Sequence, residues 1–206
     1  RVADSFRDPR ASIDANGLST LNLLEAARLH ASATHVVLAA SAEIFGAPLQ
    51  APQDETTPLA ATTPYGVSKL LAHAAVGSWR ASYALRASSA ILFNHESEWR
   101  DEAFVTRKLS RAVARIALGT ASDVALGNLD ARRDFGYAPD YVAAMVAMAG
   151  RETGADYVLF TWIRDSAFML RALHALGFDW EAFEYFAFVL EAVSASHGDD
   201  PWHLQI

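Results

Sequence analysis

Thr34-His35-Val36-Val37-Leu38-Ala39-Ala40-Ser41-Ala42-Glu43-Ile44-Phe45-Gly46 is the stretch whose reading decides the fold. Thr34 to Ala40 is a short run dominated by β-branched and apolar residues, the pattern of a strand covered on both faces. A hydroxyl and a carboxylate, Ser41 and Glu43, follow at its carboxyl end. In extended backbone, residues two apart share a face, so both are predicted to look into one cleft. Downstream lies Tyr65-Gly66-Val67-Ser68-Lys69. Residues four apart share a helix face, so Tyr65 and Lys69 are predicted to look out together. A phenol that ionises near ~10 is a poor base at neutral pH, but a cation beside it stabilises the phenolate. Tyr65 is therefore a candidate acid/base; taken alone, the pair reads more readily as an exposed helix pair.

Working outward, Asp14 to His30 carries Leu18, Leu21, Leu24 and Ala27 at helical spacing. Pro48, Pro52, Pro58 and Pro64 punctuate a loop, and Pro64 stands where a helix would start. Helical spacing then runs from Tyr65 to Leu85, and Ala87 to Phe93 is a second buried strand. Further on, the pattern predicts a helix over 104–118, a short strand over 124–126, a helix over 140–149 and a strand over 156–161. Helices over 165–176 and 180–193 close the chain. Strands alternating with helices of this length argue for an α/β, doubly wound, mostly parallel sheet built from right-handed crossovers. Ligands of such sheets bind beyond the carboxyl ends of the strands, where Ser41 and Asn94 fall.

Composition sets the limits. The 206 residues can bury one sizeable core, and 52% of them are hydrophobic. There is no cysteine, so disulfides and thiolate metal sites are excluded, no metal is implied, and a reducing cytoplasm is the simplest location. A formal charge of −7 speaks against a nucleic-acid binder. No apolar run approaches the ~20 residues that cross a bilayer, so no membrane partner is expected. The chain opens at Arg1 in mid-pattern, as a piece of a longer gene product would.

Five stretches, in order, carry a resemblance. These are Ser41-x-Glu43 with Phe45-Gly46, Tyr65-x3-Lys69, the run Ile91 to Ser97 (ILFNHES), Phe104 to Lys108 (FVTRK), and Leu126 to Asp134 (LGNLDARRD). Together they resemble the GDP-mannose 4,6-dehydratases, extended short-chain dehydrogenase/reductases of Rossmann-like fold, over about residues 2 to 160. The resemblance implies a lyase that uses NADP to turn GDP-mannose into its 4-keto-6-deoxy product. The hydride leaves C4, water is lost across C5 and C6, and the hydride returns to C6.

By that resemblance, Tyr65 takes the O4 proton, Lys69 lowers the tyrosine's pKa and bonds the nicotinamide ribose, and Ser41 hydrogen-bonds O4. Glu43 handles the C5 proton and the departing O6 hydroxyl. His95 and Arg100 fall at cofactor positions. Asn94, Val105, Lys108, Leu126, Asn128 and Arg133 fall at substrate positions, where a pyrophosphate gains from fixed cations. Relatives assemble as dimers or tetramers, so a homo-oligomer is implied for the full-length form. Residues 1–161 correspond to a partial NADP-binding domain with part of the substrate site, and 162–206 to a divergent helical segment.

The chain departs from the pattern as well. No G-x-x-G-x-x-G turn lies within it, the feature that seats a dinucleotide pyrophosphate on a helix N-terminus. Glu98, Trp99 and Asp101 replace a proline and basic or small residues, and the expected arginine-bearing segment beyond Trp180 is not found. Negligible turnover is therefore expected from these residues alone. Two other readings stay open: a non-catalytic relative with a nucleotide-sugar or subunit-contact surface, and another sugar-nucleotide epimerase or reductase. Glu43 discriminates against the latter, which has no use for a carboxylate in that slot. Arg107, Arg111 and Arg115 read as a solvated helix face or as a phosphate clamp.

Overall fold

The computed structural model describes residues 1–49, 51–128 and 133–160. The helices expected over 165–176 and 180–193 and the end of the strand at Thr161 lie outside them. By contacts the chain divides into two units, residues 1–49 with 53–160 and residues 50–52 with 161–206. Every described helix and strand belongs to the first unit.

Two short helices, α1 (Val2–Ser5) and α2 (Pro9–Ile13), precede the first one expected from sequence. That helix itself is heterogeneous. Asp14–Leu18 is a wider, π-helical turn that runs into α3 (Ser19–His30). β1 (Val36–Ala39) follows, then one 3₁₀ turn (Ala42–Ile44), α4 (Pro64–Tyr83) and β2 (Ala87–Leu92). The remainder comprises β3 (Asn94–Glu96), α5 (Val105–Ala117), β4 (Phe135–Tyr137), α6 (Ala138–Ala149) and β5 (Asp156–Leu159).

β1, β2 and β5 form a parallel sheet in that order, and β3 and β4 form a parallel pair. Helices cover both faces of the larger sheet. On one, Leu38, Ile91 and Val158 pack with Leu70 of α4, with Ile44 of the 3₁₀ turn and with Phe45 just after it. On the other, Val37, Ala90, Leu92, Tyr157 and Leu159 pack with Tyr141 and Met148 of α6. Leu24 and Ala27 of α3 meet Ala75 and Val76 of α4 in a third cluster. This is the doubly wound α/β arrangement the alternation implied. No helix among the described residues is long and apolar enough to cross a membrane.

Three expectations are corrected. β2, the middle strand, is buried at every residue, but β1 is only half-buried because it has a strand neighbour on one side among the described residues. Residues 124–126 form no strand, and the Lys108 ammonium donates to the Ala125 carbonyl there. Phe93 leaves β2, and its amide still bonds Leu159 O at 3.0 Å while the chain turns into β3.

Candidate active site

The carboxyl end of β1 leads directly into the site. Ser41 keeps extended backbone (φ −156°, ψ 144°), and the next three residues coil into the 3₁₀ turn that Ser41 caps, its Oγ accepting from Glu43 N at 3.3 Å. Ser41 and Glu43 are thus joined by a capped turn rather than by the alternation of a strand. The extended geometry expected from sequence is wrong here, because a serine hydroxyl competes well for amides just after it.

α4 brings the second half. Thr63 is its N-cap, accepting from Gly66 N at 2.9 Å, and Pro64 occupies the first turn, where no amide is needed. The Tyr65 amide donates to Ser5 Oγ of α1 at 3.1 Å. Gly66 lets the helix start approach the 3₁₀ turn: a Cβ there would stand 2.7 Å from the Glu43 main-chain oxygen. Thr63 Oγ1 also lies 3.5 Å from Glu43 Oε2, as its donor. The two segments quoted from sequence are therefore in direct contact.

Lys69, one turn after Tyr65, donates from Nζ to Ala39 O at 2.9 Å and stands 5.8 Å from the centre of the Tyr65 ring. It ties α4 to the last residue of β1. Burial pushes the Tyr65 phenol above its ordinary pKa; a hydrogen bond with Ser41 and the Arg100 charge work against this, and the Glu43 charge adds to it. Lys69 is the cation expected to stabilise the phenolate. Its ammonium is spent on a carbonyl, and burial depresses its own pKa.

The other predicted residues fall into two groups. Asn94 and His95 lie in β3, half-buried, beyond the end of β2. The His95 ring lies against Tyr141 (centroids 5.2 Å apart), with Nδ1 2.9 Å from Phe93 O. Arg100 pairs with Glu96 at 3.0 Å and lies over the Phe104 ring. Val105, Lys108, Leu126, Asn128 and Arg133 belong to α5 and the irregular segment after it. A shallow cavity of 270 Å³ there is lined by Lys108, Arg111 and Arg115 but also by Glu102 and Asp123. Among its lining residues Val105, Leu126, Asn128 and Arg133 do not appear, nor does Arg107. Ser97, Glu98 and Trp99 line another cavity of 380 Å³ with Ala138, Pro139 and Val142.

Sequence reasoning missed Thr63, Glu96 and Thr106. A threonine before a proline at a helix start is a cap signal that could have revealed the first. The other two depend on contacts that spacing does not carry.

The arrangement suits proton transfer at an alcohol carbon: a phenol and hydroxyl in contact, a carboxylate one turn away, and an ammonium behind the phenol. The donors Lys69, His95 and Arg100 suit the anionic, hydroxyl-rich nicotinamide half of a dinucleotide, and no glycine-rich turn in the sequence serves the pyrophosphate.

A family model, GDP-mannose 4,6 dehydratase, matches residues 1–180. The GDP-mannose 4,6 dehydratase of Homo sapiens is 43% identical over 162 residues, which is 78% of this chain and 44% of that protein. The GDP-mannose 4,6-dehydratase of Vibrio cholerae O1 is 39% identical over 184 residues, 87% of this chain and 49% of that one. The chain thus spans about half the length of the curated relatives it matches. Among solved structures, RMD from Pseudomonas aeruginosa complexed with NADPH superimposes with a TM-score of 0.73 and 27% identity, covering 84% of this chain and 61% of that one. A UDP-N-acetylglucosamine 4-epimerase from Methanobrevibacter ruminantium, 22% identical at a TM-score of 0.70, shares the fold over 78% of this chain and 51% of that one.

Proposed function

The chain belongs to the GDP-mannose 4,6-dehydratase family, and on that premise we propose that it carries the catalytic centre of an NADP-dependent GDP-mannose 4,6-dehydratase. The observation that carries this is the contact between the Ser41–Glu43 turn and the start of α4. A reductase needs Ser41, Tyr65 and Lys69; elimination of water needs a carboxylate as well, and Glu43 is held in the same site.

The roles follow from chemistry. Bound NADP would supply the hydride acceptor and, later, the hydride donor, and the NADPH in the Pseudomonas aeruginosa RMD structure supports that choice. Tyr65 takes the O4 proton of the sugar while Ser41 hydrogen-bonds the same oxygen. Once C4 is a carbonyl, the C5 proton is acidic enough for Glu43 to remove it, and the same carboxyl then protonates the leaving O6 hydroxyl. Because burial and Glu43 hold the Tyr65 phenol protonated, added positive charge is what would make it a base. Lys69, His95 and Arg100 are assigned to the cofactor. Asn94, Val105, Lys108, Leu126, Asn128 and Arg133 are assigned to the GDP-mannose side, with Lys108 and Arg133 as the cations for its diphosphate. Residues 1–161 form the partial NADP-binding domain in this proposal.

Turnover by these 206 residues alone is expected to be negligible against ordinary enzyme rates of ~1 per second or more, since no glycine-rich turn seats the cofactor. The decisive experiment places residues 1–160 in the matching stretch of the Vibrio cholerae relative, which is to supply that turn. This chimera should convert GDP-mannose to the 4-keto-6-deoxy product, and Glu43→Gln should stop water loss while leaving slow hydride exchange. Unchanged dehydration by Glu43→Gln would reject the role given to Glu43. Simple reduction or epimerisation by the unsubstituted chimera would reject the dehydratase assignment.

A further inference from the structure

The first amides of an α-helix have no partner one turn back, so whatever meets them helps to decide where the helix start stands. In α4, Pro64 has no amide to satisfy. Gly66 N donates to Thr63 Oγ1 at 2.9 Å, and with Val67 N on Thr63 O at 2.8 Å the regular helical bonds begin. That leaves the Tyr65 amide, and its acceptor comes from outside the helix. It is Ser5 Oγ of α1, at 3.1 Å and 60 residues earlier in the chain.

Ser5 is placed to accept. It is buried, with 2% exposed, and its own hydroxyl proton is committed to Val2 O at 2.6 Å, so a lone pair is what it turns toward the Tyr65 amide. The carbonyl of the same tyrosine is held as well. Ser68 Oγ, fully buried, donates to Tyr65 O at 2.7 Å and lies 3.3 Å from Ser12 Oγ of α2. Through Ser5 and Ser12, α1 and α2 thus reach the peptide groups on either side of the Tyr65 Cα.

We propose that Ser5 is a positioning residue for the acid/base: by accepting from the Tyr65 amide it fixes the Cα from which the phenol projects, and the Ser12–Ser68 contact steadies the carbonyl side. Without that acceptor the amide is a partly buried donor left unmet, and the helix start shifts to find another. Proton transfer does not tolerate such a shift, since a misplacement of about 1 Å can cost on the order of 100-fold in rate. The two short helices before α3 are in this way part of the site although neither carries a reacting group.

The proposal rests on Tyr65 being the acid/base, but its test reads Tyr65 in the whole chain without turnover. It can therefore fail while the dehydratase assignment stands, and the reverse. Tyrosines are labelled with ¹⁵N at the amide and ¹³C at ζ, and the Tyr65 signals are assigned by their loss in Tyr65→Phe. In Ser5→Ala the Tyr65 amide proton should exchange faster with solvent and the Tyr65 ζ signal should move, while those of Tyr83, Tyr137 and Tyr157 stay in place. Ser88→Ala is the control. It also removes a buried serine that accepts from a main-chain amide, Ala155 N at 3.0 Å, but near the amino end of β2, and it should leave both Tyr65 signals unchanged.

A freed amide with an unmoved ζ signal would show that Ser5 serves stability alone, and that overturns the proposal. So does an amide whose exchange is unchanged, or a ζ shift of equal size in Ser88→Ala. Should Ser5→Ala not fold, as judged from the remaining tyrosine signals, Ser5→Cys decides. It nearly keeps the volume and weakens the acceptor, so a moved Tyr65 ζ signal sustains the proposal and an unmoved one ends it.

Discussion

Thr63 uses one hydroxyl twice, accepting from Gly66 N at 2.9 Å to cap α4 and reaching Glu43 Oε2 at 3.5 Å. A cap of this kind is worth about 1 kcal/mol. Thr63→Val keeps the shape and removes both contacts, so it should lower the unfolding free energy read from urea titration by that order, with a lower midpoint, while Thr63→Ser should restore most of it. An unchanged midpoint in Thr63→Val would show that water replaces the cap at no cost. At this scale the sequence was a good guide to which side chains come together and a poor one to how they are held. Ser41, Glu43, Tyr65 and Lys69 announce themselves by type and spacing. That Ser41 caps a 3₁₀ turn, or that Lys69 spends its ammonium on Ala39 O, depends on local competition for hydrogen bonds that spacing does not encode. Glu96 was invisible for a related reason: its contact with Thr106, ten residues on, forms only when the first turn of α5 comes back to β3.

α4 is the element that holds the site to the core, since it packs on the sheet through Leu70 and on α3 through Ala75 and Val76. Two of its glycines test how closely its start must fit. At Gly66 a Cβ would meet the Glu43 main-chain oxygen at 2.7 Å and Thr63 Oγ1 at 3.1 Å; at Gly77 it would meet nothing within 4 Å. Alanine is favoured over glycine inside a helix by roughly 0.5–1 kcal/mol, so Gly77→Ala should raise the urea midpoint. Gly66→Ala should lower it despite the same propensity gain, because the obstructing atom is backbone and cannot rotate aside. If both substitutions stabilise alike, the helix start has room to move and the contact with Glu43 is not fixed. Long periodic segments such as α4 and α6 were legible because burial of one face repeats along them. The strand expected over 124–126 failed because three apolar residues carry no period. β3 and β4 were missed because Asn94-His95-Glu96 and Phe135-Gly136-Tyr137 are three residues each, with no apolar alternation.

Across the sheet, β5 is tied to α4 by the Asp156–Arg80 pair, whose guanidinium also donates to Ala87 O at 3.0 Å. His73, on the same helix, is within reach of both charges, with its buried Nδ1 lacking a hydrogen-bond partner. Burial depresses its pKa below the ordinary 6.5, with the Asp156 charge opposing and the Arg80 charge adding to the effect. Burial raises the Asp156 carboxyl, but the Arg80 hydrogen bonds, the Arg80 charge and lesser contributions outweigh this and leave its pKa below the ordinary 3.8. The two shifts act in one direction on acidification, in different windows. Below pH 6.5 the unfolded chain protonates His73 while the folded chain resists, so stability falls until the folded imidazole also titrates. Asp156 follows, its contribution intact above 3.8 and lost as pH falls through the lower folded value. The urea midpoint should therefore drop between about pH 7.5 and 5.5, and His73→Gln, which cannot charge, should flatten that part of the curve while leaving the drop below about pH 4. A parent and a His73→Gln variant that change in parallel over that upper window would mean that the helix opens at His73 far enough for water to reach the ring. The link from α4 to β5 would then be weaker than the Arg80–Asp156 geometry implies.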